Sequence, residues 1–156
     1  MFVVEPEPTD LVKLAQSVIE EQKPSIEQKQ QKFAAELAPK LPLVNVDPKL
    51  LRMVFQNLLS NAVKYTPEKG SVTVTLKADK KNIIFTVADT GYGITKEQQG
   101  KIFSKLFRAD NVQAKETDGT GLGLYIAQAI VEGHGGKIWF KSKENEGTTF
   151  WFELPR

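Results

Sequence analysis

The chain of 156 residues contains no cysteine, only one histidine and no long apolar run. Without cysteine, disulfide bonds and thiolate metal sites are excluded, and we expect a cytoplasmic location. No run approaches the roughly 18 apolar residues of a membrane-spanning helix, and residues 1–6 lack the basic and apolar regions of a signal peptide. The 21 basic and 19 acidic side chains are mixed along the chain, so no basic stripe indicates nucleic-acid binding.

Composition indicates an ordinary globular protein. Hydrophobic residues make up 40% of the chain and charged residues 26%, which is typical of soluble domains. The length favours a single domain over residues 1–156.

Apolar periodicity predicts three main helices. Thr9 is the predicted N-cap of the first, which Pro24 should end or kink. Asp47, followed by Pro48, predicts the start of a second helix that runs to Tyr65. The third follows a glycine-rich segment and carries a stripe of Leu122, Ile126 and Ile130.

Short runs with period-two alternation predict strands. These runs are residues 33–37, 71–77, 83–88, 137–141 and 148–154. Thr95 with Gln98 predicts a capping box for a short helix. The predicted fold is α+β, a two-layer sandwich whose mixed, mostly antiparallel sheet is covered on one face by about three helices.

One edge of the second helix carries polar side chains suited to a charged ligand. Asn57, Asn61 and Lys64 follow one another at i, i+4 and i+7, and Tyr65 lies beside them. Amide oxygens can bind Mg²⁺, a lysine can bind phosphate, and the ring can contact a base or sugar. The alternative is a solvated helix face.

Asp89 ends an apolar strand and is followed by Gly91 and Gly93. A carboxylate at that place can accept a hydrogen bond from the exocyclic amine of adenine, and the glycines allow close approach of backbone. The alternative is an ordinary Asx turn.

Gly119, Gly121 and Gly123 lead into the third helix, whose first N–H groups can bind an anion. The spacing fits neither the dinucleotide nor the P-loop motif, and close packing is the alternative. The polar residues 108–120 before it, with Arg108 at their start, have the composition of a mobile lid.

In this order and spacing, the segments resemble the ATP-binding catalytic domain of bacterial two-component sensor histidine kinases. That family belongs to the superfamily of gyrase, heat-shock chaperone and mismatch-repair ATPases, with a Bergerat-type fold. The resemblance implies that Asn61 binds Mg²⁺, that Asn57 lies near metal and phosphates, and that Asp89 binds the adenine amine. It also implies that Lys64 contacts phosphate and that Tyr65 contacts ribose or base.

The same resemblance extends to three further motifs. Residues 102–108 match the F box, residues 119–124 the second glycine box, and residues 147–150 the closing strand near the adenine. Two positions depart from the family pattern, Leu106 in the F box and Tyr92 in the first glycine box. The catalytic set implied is Asn57, Lys64 and Arg108. The other nucleotide-binding residues implied are Gly91, Gly93, Ile94, Gly119, Thr120, Gly121, Leu122, Gly123, Leu124 and Thr149.

The resemblance also indicates the type of reaction and the partners that it needs. Hydrolytic relatives carry a glutamate base four residues before the metal-binding asparagine, where this chain has Asn57, an amide that cannot accept a proton. The one histidine, His134, lies at a helix end outside any phosphoacceptor motif and is expected to be structural. We therefore expect an ATP-binding domain that phosphorylates a histidine on a separate dimerisation domain, with a response regulator downstream and a monomer in isolation. The alternatives are a clamp-type ATPase and a non-catalytic nucleotide-binding regulatory module.

Overall fold

A computed structural model describes residues 3–104 and 123–156 of the chain. The helices in these ranges are α1 (Leu11–Gln28), α2 (Pro48–Tyr65), α3 (Lys96–Gln99) and α4 (Gly123–Gly133). The strands are β1 (Glu7–Thr9), β2 (Lys32–Leu37), β3 (Val44–Val46), β4 (Ser71–Ala78), β5 (Asn82–Asp89), β6 (Lys137–Lys143) and β7 (Gly147–Pro155). Within these ranges, no helix is both long enough and apolar enough to cross a bilayer.

The main sheet has five strands in the order β2-β4-β5-β7-β6. Strands β2 and β4 pair in parallel, and the other three pairs are antiparallel. Together with the helices this confirms the predicted α+β class and the mixed, mostly antiparallel sheet. A second small sheet of β1 and β3 was not predicted, since three-residue strands are too short to show a period.

The hydrophobic core lies between the helices and one face of the main sheet. The apolar face of α2 is buried and consists of Leu51, Val54, Phe55, Leu58, Leu59, Ala62 and Val63. Phe55 of α2 packs against Phe85 of β5 and Phe152 of β7, with ring centroids 4.7 and 5.6 Å away. Burial of such rings contributes most of the stabilisation in a core of this kind, so α2 is held firmly on the sheet.

The start of α1 differs from the prediction. Asp10 is the N-cap, and its Oδ1 accepts a hydrogen bond from the Lys13 amide at 3.0 Å. Thr9 lies instead in β1, where its hydroxyl donates to the carbonyl of Glu7 at 2.8 Å. The prediction of Thr9 as the N-cap was wrong because Thr9 pairs with Val44 of β3, so that the helix begins one residue later and Asp10 caps it.

Pro24 neither ends α1 nor marks its boundary, because the helix runs on to Gln28. A proline removes one backbone hydrogen bond. Ile26, in the turn that follows, is buried in the core, and its packing holds the last turn in place.

The other helix starts agree with the predictions in part. Asp47 caps α2 as predicted, since its Oδ1 accepts from the amides of Lys49 and Leu50 at 3.1 and 3.2 Å. Thr95 precedes α3 but makes no capping hydrogen bond with its side chain. The predicted capping box with Gln98 is therefore wrong, and α3 is a single turn closed by backbone hydrogen bonds.

The second face of the main sheet lies opposite the helices. Residues alternate along β7, so that Phe150 and Phe152 face the core while Trp151 points to the other side. Trp151 pairs with Trp139 of β6, and the two rings stack with centroids 6.0 Å apart and planes 8° from parallel. This aromatic pair is thus separated from the helix layer by the sheet.

Candidate functional site

Helices α2 and α4 meet at Asn57. Its Nδ2 donates a hydrogen bond to the carbonyl of Gly123 at 3.1 Å. A Cβ atom at position 123 would lie 3.4 Å from Asn57 Oδ1, which is van der Waals distance, so the two helices are in contact there. The amide-bearing helix and the start of the glycine-rich helix therefore converge, as a common ligand site requires.

The C-terminal end of α2 contacts the loop after Asp89. The Tyr92 amide donates to the carbonyl of Tyr65 at 3.2 Å. A Cβ atom on Gly91 would lie only 2.4 Å from that same carbonyl oxygen, so no side chain fits there. Gly91 thus brings the Asp89 loop directly against Tyr65, so that both this loop and the start of α4 contact α2.

Asp89 is held by two backbone amides. Its Oδ1 accepts hydrogen bonds from the amides of Gly91 at 2.8 Å and Thr148 at 3.2 Å. The first bond is the Asx turn that was the alternative interpretation, so the turn and a ligand role can coexist at this residue. Both of these bonds use Oδ1.

Burial raises the pKa of Asp89 to about 6, and the hydrogen bonds from Gly91 and Thr148 oppose that rise. Desolvation disfavours the charged carboxylate more than two amide dipoles can compensate. A hydrogen-bond donor on a ligand, such as an exocyclic amine, would stabilise the charged form. Titratable groups with such raised pKa values are frequent at binding sites.

Gly93 is needed for a close contact within the protein, in addition to the predicted approach to a ligand. Its φ of +71° lies in the left-handed region, and a Cβ atom there would lie 2.1 Å from the carbonyl of Lys143. The glycine therefore serves the contact of the Asp89 loop with the turn between β6 and β7. Asn145 of that turn donates its amide to the carbonyl of Tyr92 at 2.6 Å.

Thr148, and not Thr149, lies beside Asp89. In the β5–β7 register Asp89 is opposite Thr148, whereas Thr149 is opposite Ala88. Thr148 is buried with Phe150 on the core side, so Thr149 points to the opposite face of the sheet. Thr148 is therefore the threonine nearer the Asp89 carboxylate, and the predicted contact of Thr149 with a nucleotide stays a prediction. The period-two pattern through Phe150, Phe152 and Leu154 would have identified Thr148.

The backbone of Ile94 is held by a group of hydrogen-bonded side chains that the sequence did not predict. The Ile94 amide donates to Ser142 Oγ at 2.9 Å, and Ser142 Oγ lies 2.7 Å from Thr148 Oγ1. Gln99 Nε2 donates to the carbonyls of Ile94 and Ser142 at 2.9 and 3.1 Å. Ile94 is thereby fixed next to the Asp89–Thr148 pair. Neither Ser142 nor Gln99 belongs to a recognisable motif.

The remaining polar residues of α2 lie along the same edge. Asn61 is half-buried one turn beyond Asn57, and Lys64 Nζ lies 5.8 Å from the centre of the Tyr65 ring. Among residues 3–104 and 123–156, no three His, Cys, Asp or Glu side chains form a metal cluster. Asn57 and Asn61 carry amide oxygens, which are hard donors of the kind that Mg²⁺ can use. Leu124 is partly buried against the core at the start of α4.

Several predicted site residues lie outside the described residues. They include the predicted lid over residues 108–120 and Leu106 of the F box. They also include the site residues Arg108, Gly119, Thr120, Gly121 and Leu122. Of the F box, Ile102 is buried and the Phe103 ring lies edge-on to Phe140 and Phe150, at 6.0 and 6.4 Å.

His134 lies at the end of α4 and makes two hydrogen bonds with the protein backbone. Its Nε2 accepts a hydrogen bond from the Asp47 amide at 3.1 Å, and its Nδ1 lies 2.8 Å from the carbonyl of Ile130. These partners require the tautomer that carries the proton on Nδ1. The ring thus ties the end of α4 to the start of α2.

Comparison with known proteins agrees with this geometry. Residues 46–156 match the family model described as "Histidine kinase-, DNA gyrase B-, and HSP90-like ATPase". The adaptive-response sensory kinase SasA of Synechococcus sp. (strain JA-3-3Ab) is 43% identical over 148 residues, which cover 94% of this chain and 39% of SasA. The chain thus spans about two fifths of the length of the SasA relatives that it matches.

Solved structures resemble the chain over almost its whole length. The catalytic domain of the histidine kinase ThkA has a TM-score of 0.83 at 33% identity, covering 97% of this chain and 95% of that one. A longer ThkA chain, in complex with the response regulator protein TrrA, has a TM-score of 0.80 at 30% identity, and the match covers 98% of this chain and 42% of that one. Full-length ShkA in complex with AMPPNP has a TM-score of 0.83 at 32% identity, and the match covers 99% of this chain and 32% of that one.

The chain therefore belongs to the family of histidine kinase-, DNA gyrase B- and HSP90-like ATPases, and within it to the ATP-binding catalytic domains of sensor histidine kinases.

Proposed function

We propose that residues 1–156 act as one domain that binds Mg²⁺-ATP and donates its γ-phosphoryl group to a histidine on a separate dimerisation domain. In that reaction a ring nitrogen of the acceptor histidine bonds to the γ-phosphorus. The bond between that phosphorus and the β,γ-bridging oxygen breaks, and ADP leaves. The product histidine would then supply a response regulator.

The observation that carries this proposal is the place of Asn57. Its side chain donates to Gly123 at the junction of α2 and α4, where hydrolytic relatives have a glutamate base. An amide cannot take a proton from water at useful pH. A site with this residue keeps ATP intact until an acceptor arrives, which suits a kinase better than a clamp-type ATPase.

Each of the other site residues has a distinct part in the proposal. Asp89 accepts from the adenine amine, and Tyr65 contacts base or ribose. Asn61 holds Mg²⁺, which neutralises phosphate charge when bound. Lys64 and Arg108 bring further positive charge to the phosphates. Catalysis of phosphoryl transfer rests mainly on such positioning and charge stabilisation.

The test combines the chain with an isolated dimerisation domain that carries the acceptor histidine and with γ-labelled ATP. We expect label on the acceptor that is lost in acid and kept in base, and far less label with the Asp89→Asn variant. Steady phosphate release without an acceptor would favour a clamp-type ATPase. Tight ATP binding without transfer to any acceptor would favour a regulatory module.

A further inference from the structure

The carbonyl groups at the end of α2 have partners from outside the helix. The last carbonyls of any helix lack intrahelical partners and must find others. At the end of α2 and at its C-cap Thr66, the carbonyls of residues 63 to 66 all accept hydrogen bonds from groups outside the helix. Tyr65 receives the Tyr92 amide of the Asp89 loop. The other three receive two side chains of the turn between α1 and β2.

These two side chains are Lys29 and Gln31. Lys29 Nζ donates to the carbonyls of Val63, Lys64 and Thr66 at 2.9, 2.8 and 2.9 Å. Gln31 Nε2 donates to those of Val63 and Thr66 at 2.9 and 2.8 Å. A cation at the negative end of the helix dipole is favourable, and the buried Gln31 amide has no water to replace its partners. We name this pair the α2 clamp.

The turn that carries the α2 clamp is itself fixed by backbone hydrogen bonds. The Gln31 amide donates to the carbonyl of Ile26 at 3.0 Å, and the Lys69 amide donates to that of Lys29 at 2.9 Å. The Lys32 amide donates to the carbonyl of Gly70 at 2.8 Å, next to the first pair of the β2–β4 ladder. The clamp is thus anchored to both α1 and the main sheet.

We propose that Lys29 and Gln31 are positioning residues for the nucleotide site, and that they act through the end of α2. The inference rests on the proposed function, in which Lys64 and Tyr65 contact phosphate and base. Both residues belong to the last turn of α2, whose carbonyls the clamp holds. Loss of the clamp leaves those carbonyls without partners and lets the last turn unwind, so that the two side chains lose their fixed placement. Small displacements of binding groups weaken function strongly.

The test compares Lys29→Met, which keeps the length of the side chain but removes its donors, with Lys29→Arg, which keeps donors and charge. Lys23→Met is the matched control, because Lys23 lies on α1 in an exposed ion pair with Glu20 at 2.7 Å. Calorimetric titration with Mg²⁺-ATP is carried out well below each variant's unfolding temperature. We expect Kd to rise about tenfold in Lys29→Met, which corresponds to about 1.4 kcal/mol. Wild-type affinity should return in Lys29→Arg and persist in Lys23→Met.

A lower unfolding temperature with unchanged Kd in Lys29→Met would overturn the inference, because the clamp would then be structural only. If Lys29→Met does not fold, Gln31→Met provides the same comparison. A wild-type chain that does not bind Mg²⁺-ATP would instead overturn the proposed function itself. In the phosphotransfer assay, a lower kcat/KM in Lys29→Met that Lys29→Arg restores is the result that positioning of Lys64 and Tyr65 predicts.

Discussion

Asp89 Oδ1 and the amide of Thr148 are joined by a hydrogen bond of 3.2 Å across neighbouring strands β5 and β7. This bond fixes the carboxylate at the end of the main sheet, between the Asp89 loop and the closing strand. Burial raises the pKa of this same carboxylate to about 6. The first two predictions follow from this relationship.

Asp89→Asn should weaken ATP binding while the fold stays intact. The asparagine oxygen can still accept from the amides of Gly91 and Thr148, but its NH₂ group would face the adenine amine. The lost charged hydrogen bond is worth ~1.5–3 kcal/mol, or roughly 10- to 150-fold in Kd. Calorimetry gives the affinity and circular dichroism the fold. Unchanged affinity would mean that the adenine lies elsewhere.

The pH dependence of stability should carry the signature of Asp89. Its pKa is about 6 in the folded protein against 3.8 for an unperturbed carboxyl. Because the folded pKa is raised, the contribution is complete below pH ~4 and is lost as the pH rises through 6. From pH 7.5 to pH 4, the wild type should therefore gain roughly 2 kcal/mol in unfolding free energy relative to Asp89→Asn.

Denaturant unfolding of both proteins across this pH range measures the gain. The carboxyl groups of Asp47 and Asp79 have lowered pKa values because backbone amides donate to them. Their contributions are lost on acidification, the opposite direction, but they are common to both proteins and cancel in the difference. A difference that does not vary with pH would contradict the prediction.

Thr148→Val and Thr149→Val form a matched pair. The first removes a hydroxyl that lies 2.7 Å from Ser142 Oγ, in the group that holds Ile94. The second changes a side chain on the opposite face of the sheet. We expect Thr148→Val to raise the Kd for ATP by about fivefold, or ~1 kcal/mol, and Thr149→Val to leave it unchanged. Equal effects in titrations of the two variants would refute the assignment of Thr148.

Gly93→Ala and Gly100→Ala should separate a required glycine from a dispensable one. A Cβ atom on Gly93 would lie 2.1 Å from the Lys143 carbonyl at a φ of +71°, whereas no atom lies within 4 Å of a Cβ on Gly100. The left-handed backbone alone costs alanine ~1–2 kcal/mol, and the overlap adds to this. Gly100→Ala should be neutral or stabilising by up to ~1 kcal/mol. Thermal unfolding distinguishes the two variants.

His134→Ala should lower stability and spare nucleotide binding. The Asp47 amide and the Ile130 carbonyl would both lose their ring partner, at a cost of ~1–3 kcal/mol. Denaturant unfolding measures the loss, and the phosphotransfer assay serves as the control. Full stability combined with lost transfer would instead assign His134 a catalytic role.

The long, strongly periodic elements could be predicted from the sequence, and the short or context-dependent features could not. The stripe on α2 and the alternation in β4 each repeat often enough to identify the element and its buried face. Strands β1 and β3 have three residues each, and the choice between Thr9 and Asp10 as N-cap depends on their pairing. These features depend on pairing with residues that are distant in the chain, and the local sequence does not indicate such pairing.

The same distinction holds for the candidate site. Asn57, Asp89 and Gly91 stand in motifs, and the structure places Asn57 against Gly123 and Gly91 against the carbonyl of Tyr65. Ser142 and Gln99 act only through hydrogen bonds made by a distant segment, so no pattern indicates them. The closing-strand motif does not distinguish Thr148 from Thr149, whereas the alternation of buried residues along β7 places only Thr148 on the core side.

Both tryptophans of the chain belong to the stacked pair on the sheet face away from the helices. Their fluorescence therefore monitors the integrity of β6 and β7 from the side opposite Asp89. An emission change on adding nucleotide would mean that binding is transmitted through the sheet, whereas loss of the signal on heating would follow unfolding with or without ligand.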